Sequence, residues 1–233
     1  MAATGKRLAI LQSNYIPWKG YFDLIGSVDE FIIFDDAQYT KNDWRNRNKI
    51  KTAQGVQWLT IPIETSGKLA QRINEAAIKG DAWREKHFRT LCMNYSKARF
   101  FSDYRPWLER LYASCTSQFL SQVNFLFLSA ICAQLMILTK LSSSRDYRIE
   151  DGQTERLVSL CKQAGATIYL SGPAARDYID PALFEQAGIE LVYKQYSYPE
   201  YPQLYPPFEH GVSVLDLLFN AGPDARSYIF TNM

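Results

Sequence analysis

Two apolar runs and what lies between them limit the fold more than any other feature of this chain. Leu8-Ala9-Ile10-Leu11 and Phe31-Ile32-Ile33-Phe34 are uninterrupted apolar stretches, the pattern of strands covered on both faces. A polar loop, Gln12 to Gly20, and a short helical segment, Tyr21 to Val28, separate them. A helix in the connection carries the chain back along the sheet, so the two strands are expected to run parallel. The fold class is therefore α/β, with a mostly parallel sheet flanked by helices.

The rest of the chain extends this plan. Arg45 to Lys51 and Val56 to Ile63 flank the turn Thr52-Ala53-Gln54-Gly55 and read as an added β-hairpin. Trp83 to Tyr95, Pro106 to Cys115 and Gln118 to Lys140 form a helical middle section. Thr154 to Ala164 reads as a helix stopped by Gly165, followed by the strand Ile168-Tyr169-Leu170. Pro181 to Ala187 is a helix stopped by Gly188, followed by the strand Ile189 to Tyr193. A Pro- and Tyr-rich loop, Tyr196 to Pro207, and a closing helix, Val212 to Asn220, complete the chain. No repeat or linker divides it, so residues 1–233 are expected to form a single domain.

Composition narrows the class of partner. A net charge of +2 is too small for a general DNA-binding surface. Cys92, Cys115, Cys132 and Cys161 form no CxxC pair and fall in helical stretches, which favours a reducing, cytoplasmic setting over disulfides or zinc. Residues 1–10 carry no secretory signal pattern. Phe119 to Leu138 is long enough to span a bilayer, but Ser121, Gln122, Asn124, Ser129 and Gln134 interrupt it, so a buried helix is expected instead.

Three segments carry groups suited to chemistry. The loop Gln12 to Gly20 leaves a parallel strand and enters a helix, the place where open α/β sheets bind ligands. Its Gln12, Asn14, Tyr15 and Trp18 are candidate binding residues, although neither a dinucleotide fingerprint nor a P-loop spacing is present. Asp35-Asp36-Ala37-Gln38 follows the second strand directly. Adjacent carboxylates repel unless a donor, cation or proton intervenes, so Asp35 and Asp36 are candidate acid–base groups, with Gln38 beside them. The run Trp44-Arg45-Asn46-Arg47-Asn48-Lys49-Ile50-Lys51 alternates cations, so Arg45, Arg47, Lys49 and Lys51 are expected on one strand face. Guanidinium forks suit phosphate or carboxylate. Trp44 and Asn46 belong to the same candidate site.

Other candidates are more scattered. His87 lies on a helix among Arg84, Lys86 and Arg89 and is a candidate general base; with His210 as its sole companion it cannot build a zinc enzyme without carboxylate help. No metal site is expected. Ser171 ends a later strand at the same sheet edge, without the G-x-S-x-G spacing of a nucleophile elbow. Tyr201 and Gln203 lie in the aromatic loop with Tyr196, Tyr198 and Tyr205, suited to covering a sugar-sized pocket.

Taken in order, several blocks resemble the WbqC-like protein family. They are Gln12-x-Asn-Tyr15-Ile16-Pro17-Trp18-x-Gly20-Tyr21-Phe22, Phe34-Asp35-Asp36-x-Gln38, Trp44-Arg45-Asn46-Arg47-Asn48 and Trp58-Leu59-Thr60-Ile61-Pro62. Tyr169-Leu170-Ser171-Gly172, Tyr201-Pro202-Gln203 and Ser213-Val214-Leu215-Asp216-Leu217-Leu218 continue the series. Ser13 and His210 depart from it, since the family often has Pro at those places. The resemblance implies a role in bacterial O-antigen or other surface-polysaccharide assembly, with glycine transfer to an amino sugar as the suggested reaction. It brings no settled catalytic residues.

Together these readings lead to an amide-forming transferase or ligase acting on a nucleotide-linked amino sugar and an amino-acid donor. Asp36 or His87 would take the proton, Arg45 and Arg47 would bind phosphate or carboxylate, Asn46 and Gln38 would orient the substrate, and Gln12 and Asn14 would line the pocket. Activation by ATP, an aminoacyl-tRNA or another acyl donor stays open, as does homo-oligomerisation. Nucleotidyl or adenylate transfer and a non-catalytic scaffold are the rival readings.

Overall fold

The computed structural model describes residues 5–68 and 70–230. The first apolar run becomes β1 (Arg7–Leu11) and the second β2 (Glu30–Ile33), joined through α1 (Lys19–Gly26). They pair in parallel, Ala9 opposite Phe31 and Leu11 opposite Ile33. Three further parallel strands, β5 (Lys140–Ser143), β6 (Ile168–Ser171) and β7 (Glu190–Tyr193), complete a sheet of order β5-β2-β1-β6-β7. The chain builds outward from β1 first on one side and then on the other. The direction of winding reverses between β1 and β6, and that reversal opens a crevice at their carboxyl ends.

Alternation along the strands assigns each face its cover. Ala9, Phe31, Ile33 and Leu170 join a large apolar cluster with α1, α3 (Phe101–Ser114), α4 (Leu120–Gln134) and α7 (Val214–Ala221). Leu8, Ile10, Ile32 and Tyr169 point the other way, onto α5 (Glu155–Gln163) and α6 (Pro181–Gln186). Fully buried rings such as Phe22, Phe31 and Phe184 each contribute roughly 1.5–3 kcal/mol of transfer free energy. α2 (Ala82–Tyr95) packs against α3 in the middle section.

Two boundaries differ from expectation for identifiable reasons. The third middle helix ends at Gln134 instead of Lys140, because Met136 takes a left-handed φ of 49° and breaks the helix. The following Lys-Leu-Ser-Ser is β5, an edge strand whose polar composition hides it from an apolar-run search. The second middle helix starts at Phe101 and carries Pro106 inside it, so the proline does not mark its start. Among the described residues no helix is long and apolar enough to cross a membrane.

The hairpin forms as β3 (Arg47–Thr52) and β4 (Gly55–Thr60), closed by Gly55 at a φ of 106°, a conformation glycine adopts without strain. Backbone bonds fix it to the loop after β1 and to the segment before α7: Tyr15 N–H donates to the Trp44 carbonyl at 3.1 Å and Ser213 N–H to the Lys49 carbonyl at 2.8 Å. The expected single face of four cations is not formed. Arg45 precedes the strand and turns into the β1 loop, and Lys51 is buried against the Pro207 carbonyl, leaving Arg47 and Lys49 together.

Candidate functional site

The loop after β1 sits at the winding reversal and is unusually constrained. Ile16 is completely buried yet has a φ of 38°, a left-handed conformation that costs a β-branched residue energy. Surrounding contacts hold it there. Ser13, equally buried, donates to Asp35 from its backbone N–H at 2.8 Å and from its hydroxyl at 2.8 Å. Arg45 Nη1 reaches the Gln12 carbonyl at 3.4 Å and also donates to Asn14 Oδ1. Asn124, from α4, donates from Nδ2 to the Ser13 hydroxyl and to the Arg45 carbonyl, each at 2.9 Å. One polar network therefore joins the β1 loop, the acidic pair and the start of the basic ribbon.

That network borders two cavities. The first, of about 230 Å³, is lined by Asp35, Asn74, Ser121, Phe125, Ser144 and Arg145 at the carboxyl ends of β2 and β5. Asp36 stands behind it, accepting from Asn74 Nδ2 at 3.0 Å and from the Ser144 hydroxyl at 2.6 Å, with Arg72 Nη1 at 3.6 Å. Because an ionised carboxylate only accepts, the Asn74 amide is oriented with its nitrogen toward Asp36. Its Oδ1 is buried without a partner, and so is Asn124 Oδ1. The cavity is thus lined by a carboxylate, an amide side chain, hydroxyls, an aromatic ring and one guanidinium, a set that suits a small polar ligand.

The second cavity, of about 330 Å³, is lined by Asn14, Pro17, Trp18, Trp44, Asn48 and Gly211. Asn48 Nδ2 donates to the Tyr15 carbonyl at 3.1 Å, which fixes one wall. Asn46 is turned away into the hairpin, donating to the Ile61 carbonyl at 2.8 Å. Trp44 extends from the cavity to an exposed ledge, its ring 5.2 Å from that of Trp58. A hollow of about 380 Å³ bordered by Asp29, Met136, Thr139 and Arg226 lies beside the amino ends of β2 and β5, away from these groups.

His87 is built into the core. It is 3 % exposed, packed edge-on against Trp83, and its Nδ1 lies 3.0 Å from the Tyr15 hydroxyl. Tyr15 in turn contacts the Tyr112 hydroxyl at 2.6 Å, and the backbone of Thr60 bonds the imidazole. With Tyr15 donating to Nδ1 and Nε2–H donating to Thr60, the neutral ring has both nitrogens engaged. Burial holds its pKa down at about 4, against the opposing pull of the Thr60 bond.

The same chain matches the WbqC-like protein family over residues 12–228. It belongs to that family. It is also 51% identical over 225 residues to Uncharacterized protein Rv1507c of Mycobacterium tuberculosis, covering 96% of this chain and 97% of that protein. No solved structure matches it with significance.

Within this WbqC-like chain, the other expected site residues are distributed as follows. Tyr201 and Gln203 do not line either cavity; both donate to the buried carboxylate of Asp216, at 2.7 and 2.8 Å. Ser171 is buried at the end of β6, its carbonyl accepting from Lys194 N–H at 2.8 Å. Gln38 is exposed and forms a bridge with Arg72. Ser13, Asn74, Ser121, Asn124 and Ser144 were not anticipated. Ser121 and Asn124 carried a usable signal, since polar residues three apart in an apolar helix share one face. Lys19 was also missed: it is 2 % exposed beneath the aromatic loop, 4.9 Å from the Tyr198 ring centre and 5.1 Å from that of Tyr201. Burial lowers its ammonium to about 8, partly opposed by Asp216.

Proposed function

We propose that this chain forms an amide between an amino acid such as glycine and the amino group of a nucleotide-linked sugar, for bacterial surface-polysaccharide assembly. The observation that carries the reading is the 230 Å³ cavity lined by Asp35, Asn74, Ser121 and Arg145 at the carboxyl ends of β2 and β5. The Asp35 carboxylate is the hydrogen-bond acceptor toward which an amine in this cavity would present an N–H. Phe125 supplies an apolar wall for a sugar ring and Arg145 a counter-charge for a carboxylate or phosphate.

The step balances as acyl transfer. The amine nitrogen donates its lone pair to the activated carbonyl carbon and forms the C–N bond. The bond from that carbon to its leaving group breaks, the leaving group keeping the electron pair, and the nitrogen releases a proton to the Asp35 carboxylate. Asp36 acts through Asn74 and Ser144, which it orients. His87, with both ring nitrogens engaged, takes no part in proton transfer in this scheme. Glycine whose carboxylate is activated by ATP, an aminoacyl-tRNA or another acyl donor can supply the activated carbonyl.

The test is mass spectrometry of a sugar-nucleotide pool incubated with the protein, glycine and each donor. A gain of one aminoacyl residue is expected. An unchanged pool from which the protein nevertheless binds a component would establish the scaffold reading instead. One observation favours a second reading, nucleotidyl or adenylate transfer: the strand order β5-β2-β1-β6-β7 opens its crevice beside a loop-to-helix connection, where phosphates are commonly held. Exchange of labelled pyrophosphate into ATP or CTP without sugar tests it.

A further inference from the structure

Beside the Asn14 cavity, the hairpin displays an aromatic ledge that the amide-forming chemistry does not use. Trp44 is 40 % exposed and Trp58 37 %, adjacent and tilted by 44°. Isolated exposed aromatics need no explanation, but two neighbouring indoles leave large apolar faces in water. Two cations accompany them. The Arg47 guanidinium lies 4.1 Å from the Trp58 ring centre, and Lys49 Nζ lies 5.4 Å from Trp58 and 5.9 Å from Trp44. Strand register explains the grouping, since Lys49 pairs directly with Trp58 and Arg47 with Thr60.

Among the described residues, no carboxylate forms an ion pair with Arg47 or Lys49, and Arg47 Nε is buried without a hydrogen-bond partner. Arg45, the cation expected to share phosphate binding, is occupied with the Gln12 carbonyl and Asn14. The ledge therefore joins flat apolar rings to two positive charges that have no carboxylate partner among the described residues.

We infer that this ledge is the seat of a nucleoside diphosphate, its base stacked on Trp44 and Trp58 and its phosphates held by Arg47 and Lys49. Bases stack on indole faces, and guanidinium and ammonium groups bind phosphate oxygens. The inference rests on the amide-transfer reading for the identity of the pendant group, an amino sugar. Trp44 also lines the Asn14 cavity, so a ligand stacked there has its next group in that space. Asn14, in the wall of that cavity, follows Ser13, whose N–H and hydroxyl donate to Asp35. A single-stranded RNA presents the same base-and-phosphate chemistry, but it needs an extended basic stripe, and this chain has a net charge of +2 and a patch of two cations.

The test titrates the full chain with UDP, dTDP, GDP, CDP and ADP, and separately with a short oligonucleotide ending in CCA, following tryptophan fluorescence and calorimetric heat. At least one nucleoside diphosphate is expected to bind and quench. Trp58→Leu is expected to weaken it roughly five- to hundredfold, and Arg47→Gln with Lys49→Gln to weaken it and flatten its salt dependence. Circular dichroism checks that each variant stays folded, and Trp44→Leu is a second stacking variant. Binding of none of the five, binding untouched by folded variants, or binding of the oligonucleotide alone overturns the inference. Nucleotide binding that responds to these variants, with no aminoacyl mass gain from any donor, instead overturns the transfer reading and leaves the ledge assignment standing.

Discussion

Ser13 holds Asp35 at two points, its N–H and its hydroxyl each 2.8 Å from the carboxylate. Both residues are buried, so each donor offsets part of the cost of desolvating a charge. Ser13→Ala removes one donor and also the acceptor for Asn124, and is expected to destabilise the fold by about 1–3 kcal/mol. Urea unfolding of the variant against the wild type checks this, and equal stability would show that the network contributes little.

The two adjacent carboxylates are expected to separate in kinetics once a turnover assay is in hand. Asp35→Asn removes the group that lines the cavity and is expected to lower kcat by roughly 10²- to 10⁴-fold with sugar-nucleotide binding retained. Asp36→Asn frees the Asn74 amide to turn and is expected to act mainly through KM. A kcat loss confined to Asp36→Asn would reverse the two roles.

His87 gives a pH signature in stability. An unfolded histidine titrates near 6.5, while burial keeps the folded ring neutral down to about 4. Its contribution is present above pH 6.5 and is lost as pH falls toward 4, because the unfolded chain takes up a proton that the native state refuses. The loss reaches on the order of 3 kcal/mol by pH 4. Equilibrium unfolding between pH 6.5 and 5 is expected to show the slope in the wild type and not in His87→Phe. The variant is expected to start about 1–3 kcal/mol lower at pH 7, where Tyr15 loses its partner.

Asp216 anchors the aromatic loop. Its completely buried carboxylate accepts from Tyr95 at 2.7 Å, Tyr201 at 2.7 Å and Gln203 at 2.8 Å. Asp216→Ala leaves those donors unpaired and removes the negative charge facing Lys19 and Lys51. A cost of roughly 3–5 kcal/mol is expected, with faster proteolysis across residues 196–209. Thermal melting and limited digestion test this; an intact, protease-resistant loop would contradict it.

The buried frame was readable because its causes are local. The apolar runs at Leu8 and Phe31 and the glycines at Gly165 and Gly188 act over a few residues, and the parallel sheet follows from them. β5 was not readable, because Lys-Leu-Ser-Ser becomes a strand only through its pairing with β2. In the candidate site, Asp35, Asp36, Asn14 and Trp44 were visible as residue types at a strand end or on a loop. Their partners were not, since Ser121 and Asn124 come from α4 and Asn74 from a separate turn, and only tertiary packing brings them to Asp35 and Ser13. His87 shows the opposite failure. Its helix and charged neighbours suggested an accessible base, whereas Trp83, Leu91 and Tyr95 bury that same helix face.

The hairpin's backbone attachments to Tyr15 and Ser213 give its tryptophan ledge a mechanical connection to segments near opposite ends of the chain. A molecule seated on the ribbon is expected to stiffen both anchors at once. Deuterium uptake at the Tyr15 and Ser213 amides is then expected to slow in step with occupancy.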